Sequence, residues 1–244
     1  MYTPIGTHRY VVYSADRELV IYRNYVRSDR PAGHAAGTIT AYTILHNTIR
    51  MANIRSLCVY CGSSDLGSPH HRTEAAKLGR ILAAKGIELV FGGGRVGLMG
   101  IIADAALSSG GRVTGVIPDH LIRAEVGHAE VSELVVVDSM HVRKQIMFER
   151  SDAFVVLPGG PGTLDETFEI LTWRQLRLHD KPVVICNLGG YWRKLIDLIE
   201  MLIGENYARP EFRSFYTVVD TIEDILPTIA RAPEPTLPPR VRKI

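Results

Sequence analysis

The chain holds 244 residues, 46% of them hydrophobic and 22% charged, with three cysteines. That composition suits a soluble globular protein with a sizeable core and excludes a disordered chain, a collagen-like chain and a coiled-coil rod. Net charge is +2 overall, but residues 1–50 and 231–244 carry +3 each and the body between them −4, which excludes the basic folded face of a nucleic-acid binder.

Residues 1–50 lack sustained periodicity, although Val11–Tyr13 and Leu19–Tyr22 read as short strands. No apolar run with a small-residue cleavage site marks a secretory signal, and Asp16, Glu18 and Asp29 weigh against a transit peptide. The segment is expected to be a poorly ordered extension with little part in the chemistry; a simpler alternative starts the product at Met51. From there the pattern becomes regular. Short, near-continuous apolar runs occur at Leu57–Tyr60, Leu89–Phe91, Val113–Ile117, Leu134–Val137, Phe154–Leu157, Val183–Cys186 and Tyr216–Val219. Such runs suit strands buried on both faces of a parallel sheet. Between them lie helical spacings such as Ala75, Leu78, Ile81, Leu82 and Leu164, Phe168, Leu171. The alternation predicts one α/β domain over residues 51–231: a Rossmann-like, doubly wound fold with a mostly parallel sheet of about seven strands flanked by helices. Pro233, Pro235, Pro238 and Pro239 make residues 232–244 an extended, solvated basic tail. No run of the roughly 18 apolar residues a spanning helix needs is present, so no membrane is expected. Three cysteines cannot build a disulfide framework, which points to a reducing, cytoplasmic compartment.

Two glycine loops follow predicted strands and open predicted helices: Gly92-Gly93-Gly94-Arg95-Val96-Gly97 and Pro158-Gly159-Gly160-Pro161-Gly162-Thr163. Glycine lets a ligand approach the backbone, and a helix start offers unpaired N–H groups and a positive dipole end, so each loop is a candidate anion site. The first loop fits G-x-G-x-x-G, but the strand after it ends in Pro118-Asp119, a poor ribose-binding acid for a dinucleotide. A tight strand–helix turn explains it equally. The second loop is more specific. Thr163 and Glu166 are one helical turn apart and share a face, which puts a carboxylate beside an anion site. The same pair also fits a helix capping box.

Pro158-Gly159-Gly160-Pro161-Gly162-Thr163-Leu164-Asp165-Glu166 resembles the P-G-G-x-G-T-x-x-E signature of the LOG family, the cytokinin riboside 5′-monophosphate phosphoribohydrolases. Met140-His141-Val142-Arg143-Lys144 resembles that family's M-H-x-R-K. Cys61-Gly62-Ser63-Ser64, Gly92-Gly93-Gly94, Gly97-Leu98-Met99-Gly100, Gly115-Val116-Ile117-Pro118, Leu171-Thr172-Trp173 and His179-Asp180-Lys181-Pro182 match in order, over residues 54–224. Pro161 departs from the pattern: plant members usually carry Tyr there, and proline removes one N–H.

The resemblance implies hydrolysis of the N-glycosidic bond of an adenine-type nucleoside 5′-monophosphate, a cytokinin riboside 5′-monophosphate or AMP, the latter an AMP nucleosidase activity. It implies Arg143 and Glu166 as catalytic residues. It implies substrate contacts from Glu125, Lys144, Gly159, Gly160, Gly162, Thr163, Thr172, Gly93 and Gly94. No cofactor and no metal are expected, and a homodimer with the site near its interface is implied. Glu166 suits the role chemically, because breaking a ribose–base bond develops positive charge on the sugar. Met140 and Met147 share the Arg143 face and read as core or as an apolar wall for a base. His141 reads as an ordinary helical polar residue.

Cys58 and Cys61 fall on opposite faces of a strand, a poor arrangement for metal or redox work. No P-loop lysine follows either glycine loop. Members of the family have been labelled lysine decarboxylases, yet no pyridoxal-phosphate site is visible. Two rivals remain: a non-catalytic nucleotide or molybdenum-cofactor carrier on the same fold, which needs the loops but not the Arg143–Glu166 pair, and a nicotinamide-dependent oxidoreductase, against which the missing strand-end acid argues.

Overall fold

The computed structural model describes residues 9–13, 19–23, 54–122 and 127–233. The chain divides into two compact units, Met1–Met51 and Ala52–Ile244. In the first, β1 (Arg9–Tyr13) and β2 (Leu19–Arg23) pair antiparallel as a two-stranded sheet of their own. The expectations for the remainder of residues 1–50, and for the tail from residue 234, lie outside the described residues.

In the second unit strands and helices alternate: β3 (Ser56–Tyr60), α1 (Pro69–Ala84), β4 (Glu88–Phe91), α2 (Gly97–Ser108), β5 (Val113–Pro118), α3 (Asp119–Ile122), β6 (Glu133–Val137), α4 (Met140–Glu149), β7 (Ala153–Val156), α5 (Pro161–Gln175), β8 (Val183–Cys186), α6 (Arg193–Gly204), β9 (Thr217–Val219) and α7 (Ile225–Ala230). Each of the seven apolar runs becomes a strand, shifted by at most a residue or two at its ends. The strands form one sheet in the order β6-β5-β4-β3-β7-β8-β9, and every neighbouring pair is parallel.

The central strands are apolar throughout because both faces are covered. Leu57, Val59 and Cys61 pack with Leu78 and Leu82 of α1, Ile102 of α2 and Ile225 of α7. Cys58 and Tyr60 point the other way, toward Phe148 of α4, Ile170 of α5 and Ile199 of α6. This is the doubly wound arrangement. It also places the two cysteines in separate core layers.

Topology positions the site. The chain steps outward from β3 to β6, then returns to lay β7 against the other side of β3. Loops leaving the C-terminal ends of β3 and β7 therefore diverge, opening a crevice at the switch point where open α/β sheets bind ligands. Among the described residues no helix is long and apolar enough to cross a membrane.

Candidate active site

The second glycine loop leads from β7 into α5. Gly160 is the N-cap, Pro161 occupies the first helical turn, and no side chain caps the helix. Thr163 is thus inside the first turn rather than at the cap, and with Glu166 it does not form the capping box that its sequence permits. The first-turn N–H groups have no intrahelical partner, so the positive end of α5 is left for an anion. Thr163 is buried, and its carbonyl accepts from Thr167 Oγ1 at 2.6 Å. Gly159 lies beneath it: a Cβ there would collide with Thr163 Oγ1.

The first glycine loop is built differently. The start of α2 is consumed by protein groups: Gly97 N donates to Asp65 Oδ1 at 2.9 Å, and Leu98 N donates to Gly62 O at 2.9 Å. Gly97 has φ +65°, and a Cβ on it would sit 2.5 Å from the Ser63 carbonyl carbon. This loop is therefore the strand–helix turn, not a second anion site at a helix start. Its contribution to the crevice is Gly92.

Arg143 projects from α4, which Ser139 caps by accepting from Val142 N at 3.2 Å. The Arg143 side chain is buried, 5% exposed. Its Nη2 donates to Gly92 O at 3.0 Å and its Nη1 lies 3.6 Å from Met140 Sδ. A Cβ on Gly92 would collide with Nη2, so glycine there makes room for the guanidinium. A cavity of about 220 Å³ is lined by Ser63, Gly92, Met140, Arg143, Thr163 and Glu166, among others. Cys61 also lines it, and burial, then the Glu166 carboxylate, push that thiol upward, so it stays protonated. A larger hollow of about 640 Å³ runs along edge strand β9 and another of about 480 Å³ lies at the far end of α5. Neither holds Arg143 or Glu166.

A family model described as "Possible lysine decarboxylase" matches residues 99–229. The probable cytokinin riboside 5′-monophosphate phosphoribohydrolase LOGL5 of Oryza sativa subsp. japonica is 41% identical over 175 residues, covering 72% of this chain and 71% of the relative. Cytokinin riboside 5′-monophosphate phosphoribohydrolase LOG1 of Arabidopsis thaliana is 40% identical over 183 residues, covering 72% and 86%. The chain belongs to the LOG family. Outside that level of similarity, the molybdenum cofactor carrier protein of Chlamydomonas reinhardtii shares the fold, with a TM-score of 0.55 over 72% of this LOG-family chain and 96% of the carrier, at 21% identity.

The signature residues of this LOG protein divide by position. Arg143, Glu166, Gly160, Gly162 and Thr163 line the cavity together. Lys144 does not; its Nζ donates to Asp165 Oδ2 at 3.0 Å and lies 3.1 Å from Glu169 Oε1. Burial lowers the pKa of that ammonium, and the two carboxylates more than reverse this, leaving it raised. Lys144 thus ties α4 to α5 on either side of Glu166. Gly93 packs against Val116 and Ile117, and Gly94 bridges to Gly127; Gly92, their neighbour, lines the cavity. Thr172 is exposed, nine residues beyond Thr163 on α5. Glu125 lies outside the described residues. Of the methionines, Met147 is core and Met140 is cavity wall. Sequence reasoning quoted Ser63 only within a family motif and read Gly92 as part of a candidate anion loop, not as the partner of Arg143. The available signal was their place just beyond the ends of β3 and β4, Ser63 three residues on and Gly92 one, at the C-terminal edge beside the switch point.

Proposed function

We infer that this chain is a phosphoribohydrolase that hydrolyses the N-glycosidic bond of an adenine-type nucleoside 5′-monophosphate, releasing free base and ribose 5-phosphate. The substrates of the reading are cytokinin riboside 5′-monophosphate, AMP, or both. One observation carries it: Arg143 of α4 and Glu166 of α5 line a single cavity with the uncapped N-terminus of α5. Membership in the LOG family supports the same chemistry.

The phosphate takes the α5 N-terminus, where the dipole and free N–H groups favour it. The ribose then lies toward Glu166. As the C1′–N9 bond breaks, its electron pair leaves on the base and positive charge develops on the sugar. The Glu166 carboxylate stabilises that charge and takes a proton from the water that adds to C1′; the base gains a proton. Arg143, held in place by Gly92 O, presents a fixed cation to phosphate, ribose or departing base. Among the described residues no lysine lines the cavity, so a Schiff base to pyridoxal phosphate has no candidate partner in it. The working assembly of this reading is a homodimer with the site near the interface; a monomer by light scattering under assay conditions removes that part.

The test is chromatographic: purified protein with AMP and with isopentenyladenosine monophosphate, beside a Glu166→Gln control. Release of free base and ribose 5-phosphate is expected, and the ratio of rates assigns purine salvage or cytokinin activation. A folded protein that releases base from neither moves the reading to a carrier, which needs the anion site but not the Arg143–Glu166 pair.

A further inference from the structure

We propose that Ser63 is a phosphate-binding residue: its hydroxyl shares a cavity with the start of α5, completes the anion site there and sets the preference for a phosphate monoester. The proposal rests on the nucleotide reading above and adds a residue to that site.

Three observations converge on it. The Gly62–Ser63 segment is stitched to both glycine loops, Gly62 N donating to Pro158 O at 3.0 Å and Gly62 O accepting from Leu98 N at 2.9 Å. It is therefore pinned on both sides where the loops leaving β3 and β7 diverge. Next, its neighbours are already engaged. Ser64 Oγ accepts from Leu66 N, and Asp65 accepts from Gly97 N. The Ser63 side chain is exposed, lines the cavity and makes no hydrogen bond among the described residues. Finally, the start of α5 is short of a donor. Pro161 in the first turn of α5 has no N–H, which leaves that turn one donor fewer for a dianion with three terminal oxygens. Asp165 and Glu166 also line the cavity, and their charge keeps a phosphate at the Gly160–Gly162 end of the helix. An unengaged hydroxyl in the same cavity as an under-furnished helix start supplies the missing bond.

The experiment measures ribose 5-phosphate binding by calorimetry and steady-state kinetics with AMP and adenosine, for the wild-type protein, Ser63→Ala and Ser63→Thr. In Ser63→Ala, Kd for ribose 5-phosphate and KM for AMP rise about tenfold, as for a lost hydrogen bond to a charged group. The preference for AMP over adenosine in kcat/KM falls by the same factor, and Ser63→Thr recovers most of both. An unchanged Kd for ribose 5-phosphate in Ser63→Ala, with an unchanged thermal midpoint, overturns the proposal; so does a wild-type protein that does not bind ribose 5-phosphate. Because calorimetry needs no turnover, weaker binding in Ser63→Ala by a protein that hydrolyses nothing would uphold Ser63 and refute the phosphoribohydrolase reading.

Discussion

At the residue scale the site rests on one carboxylate, one guanidinium and the space made for the latter. Replacing Glu166 by Gln keeps the shape and removes the charge. Turnover should fall by about a thousandfold or more, the scale of losing both charge stabilisation and proton acceptance, while ribose 5-phosphate still binds; a near-normal rate would sink the mechanism. Arg143→Ala should cost roughly a hundredfold in kcat/KM. Gly92 provides a sharper check on Arg143. A methyl group at Gly92 would collide with the tip of a flexible side chain and not with backbone. Gly92→Ala should therefore displace the guanidinium and lower activity much as Arg143→Ala does, with a nearly unchanged thermal midpoint. Full activity in that variant would return Arg143 to a structural role.

Between elements, the same glycine-rich pattern serves two purposes, and what meets the helix start decides which. The end of α5 is left open, with a glycine at the cap and proline in its first turn. The end of α2 is closed by Asp65 and by the Gly62 carbonyl. Gly97 is the hinge of that closure. Alanine there would have to hold φ +65° and press against the backbone of Ser63 and Ser64. Gly97→Ala should destabilise the protein by about 2 kcal/mol or more by urea unfolding, and weaken ribose 5-phosphate binding because it dislodges Ser63. A variant as stable as wild type would show that the loop has room to move. The Lys144 pairing with Asp165 and Glu169 belongs to the same scale: it aligns α4 with α5, and so Arg143 with Glu166.

For the whole molecule, stability should depend on pH through His179. It is buried, accepts from Lys181 N at 3.1 Å, and its Nε2 lies 2.9 Å from Ile170 O, joining α5 to the segment that enters β8. Burial lowers its pKa to about 4 from 6.5, the Ile170 carbonyl only partly opposing that. Between those values the unfolded chain binds the extra proton and the folded one does not, so stability falls as pH drops from 6.5 toward 4 and is unaffected by this group above. Unfolding at pH 7 and pH 5 should differ by about 2 kcal/mol from His179, and His179→Gln should flatten that dependence. An equally steep loss in the variant would assign it to other groups.

Much of this was legible in the linear chain. Seven apolar runs became seven parallel strands because strands covered on both faces must be apolar along their length, whatever lies beside them. The Pro158–Glu166 segment marked the anion site because a glycine-rich turn into a helix start is a local property. Tertiary structure decided the rest. Thr163–Glu166 matched a capping box until the helix proved to begin at Pro161, with Gly160 at the cap. The two glycine loops looked alike until Asp65, distant from Gly97 in sequence, closed one of them. Lys144 matched a substrate contact, and the folded chain gives it two carboxylates of α5. Ser63 follows β3, Gly92 follows β4 and Arg143 sits on α4; they meet only because β4 lies beside β3 and α4 packs over neighbouring β5. Local pattern reports burial and turns; which loop ends converge depends on strand order, and strand order is set by long-range packing that no window of sequence contains.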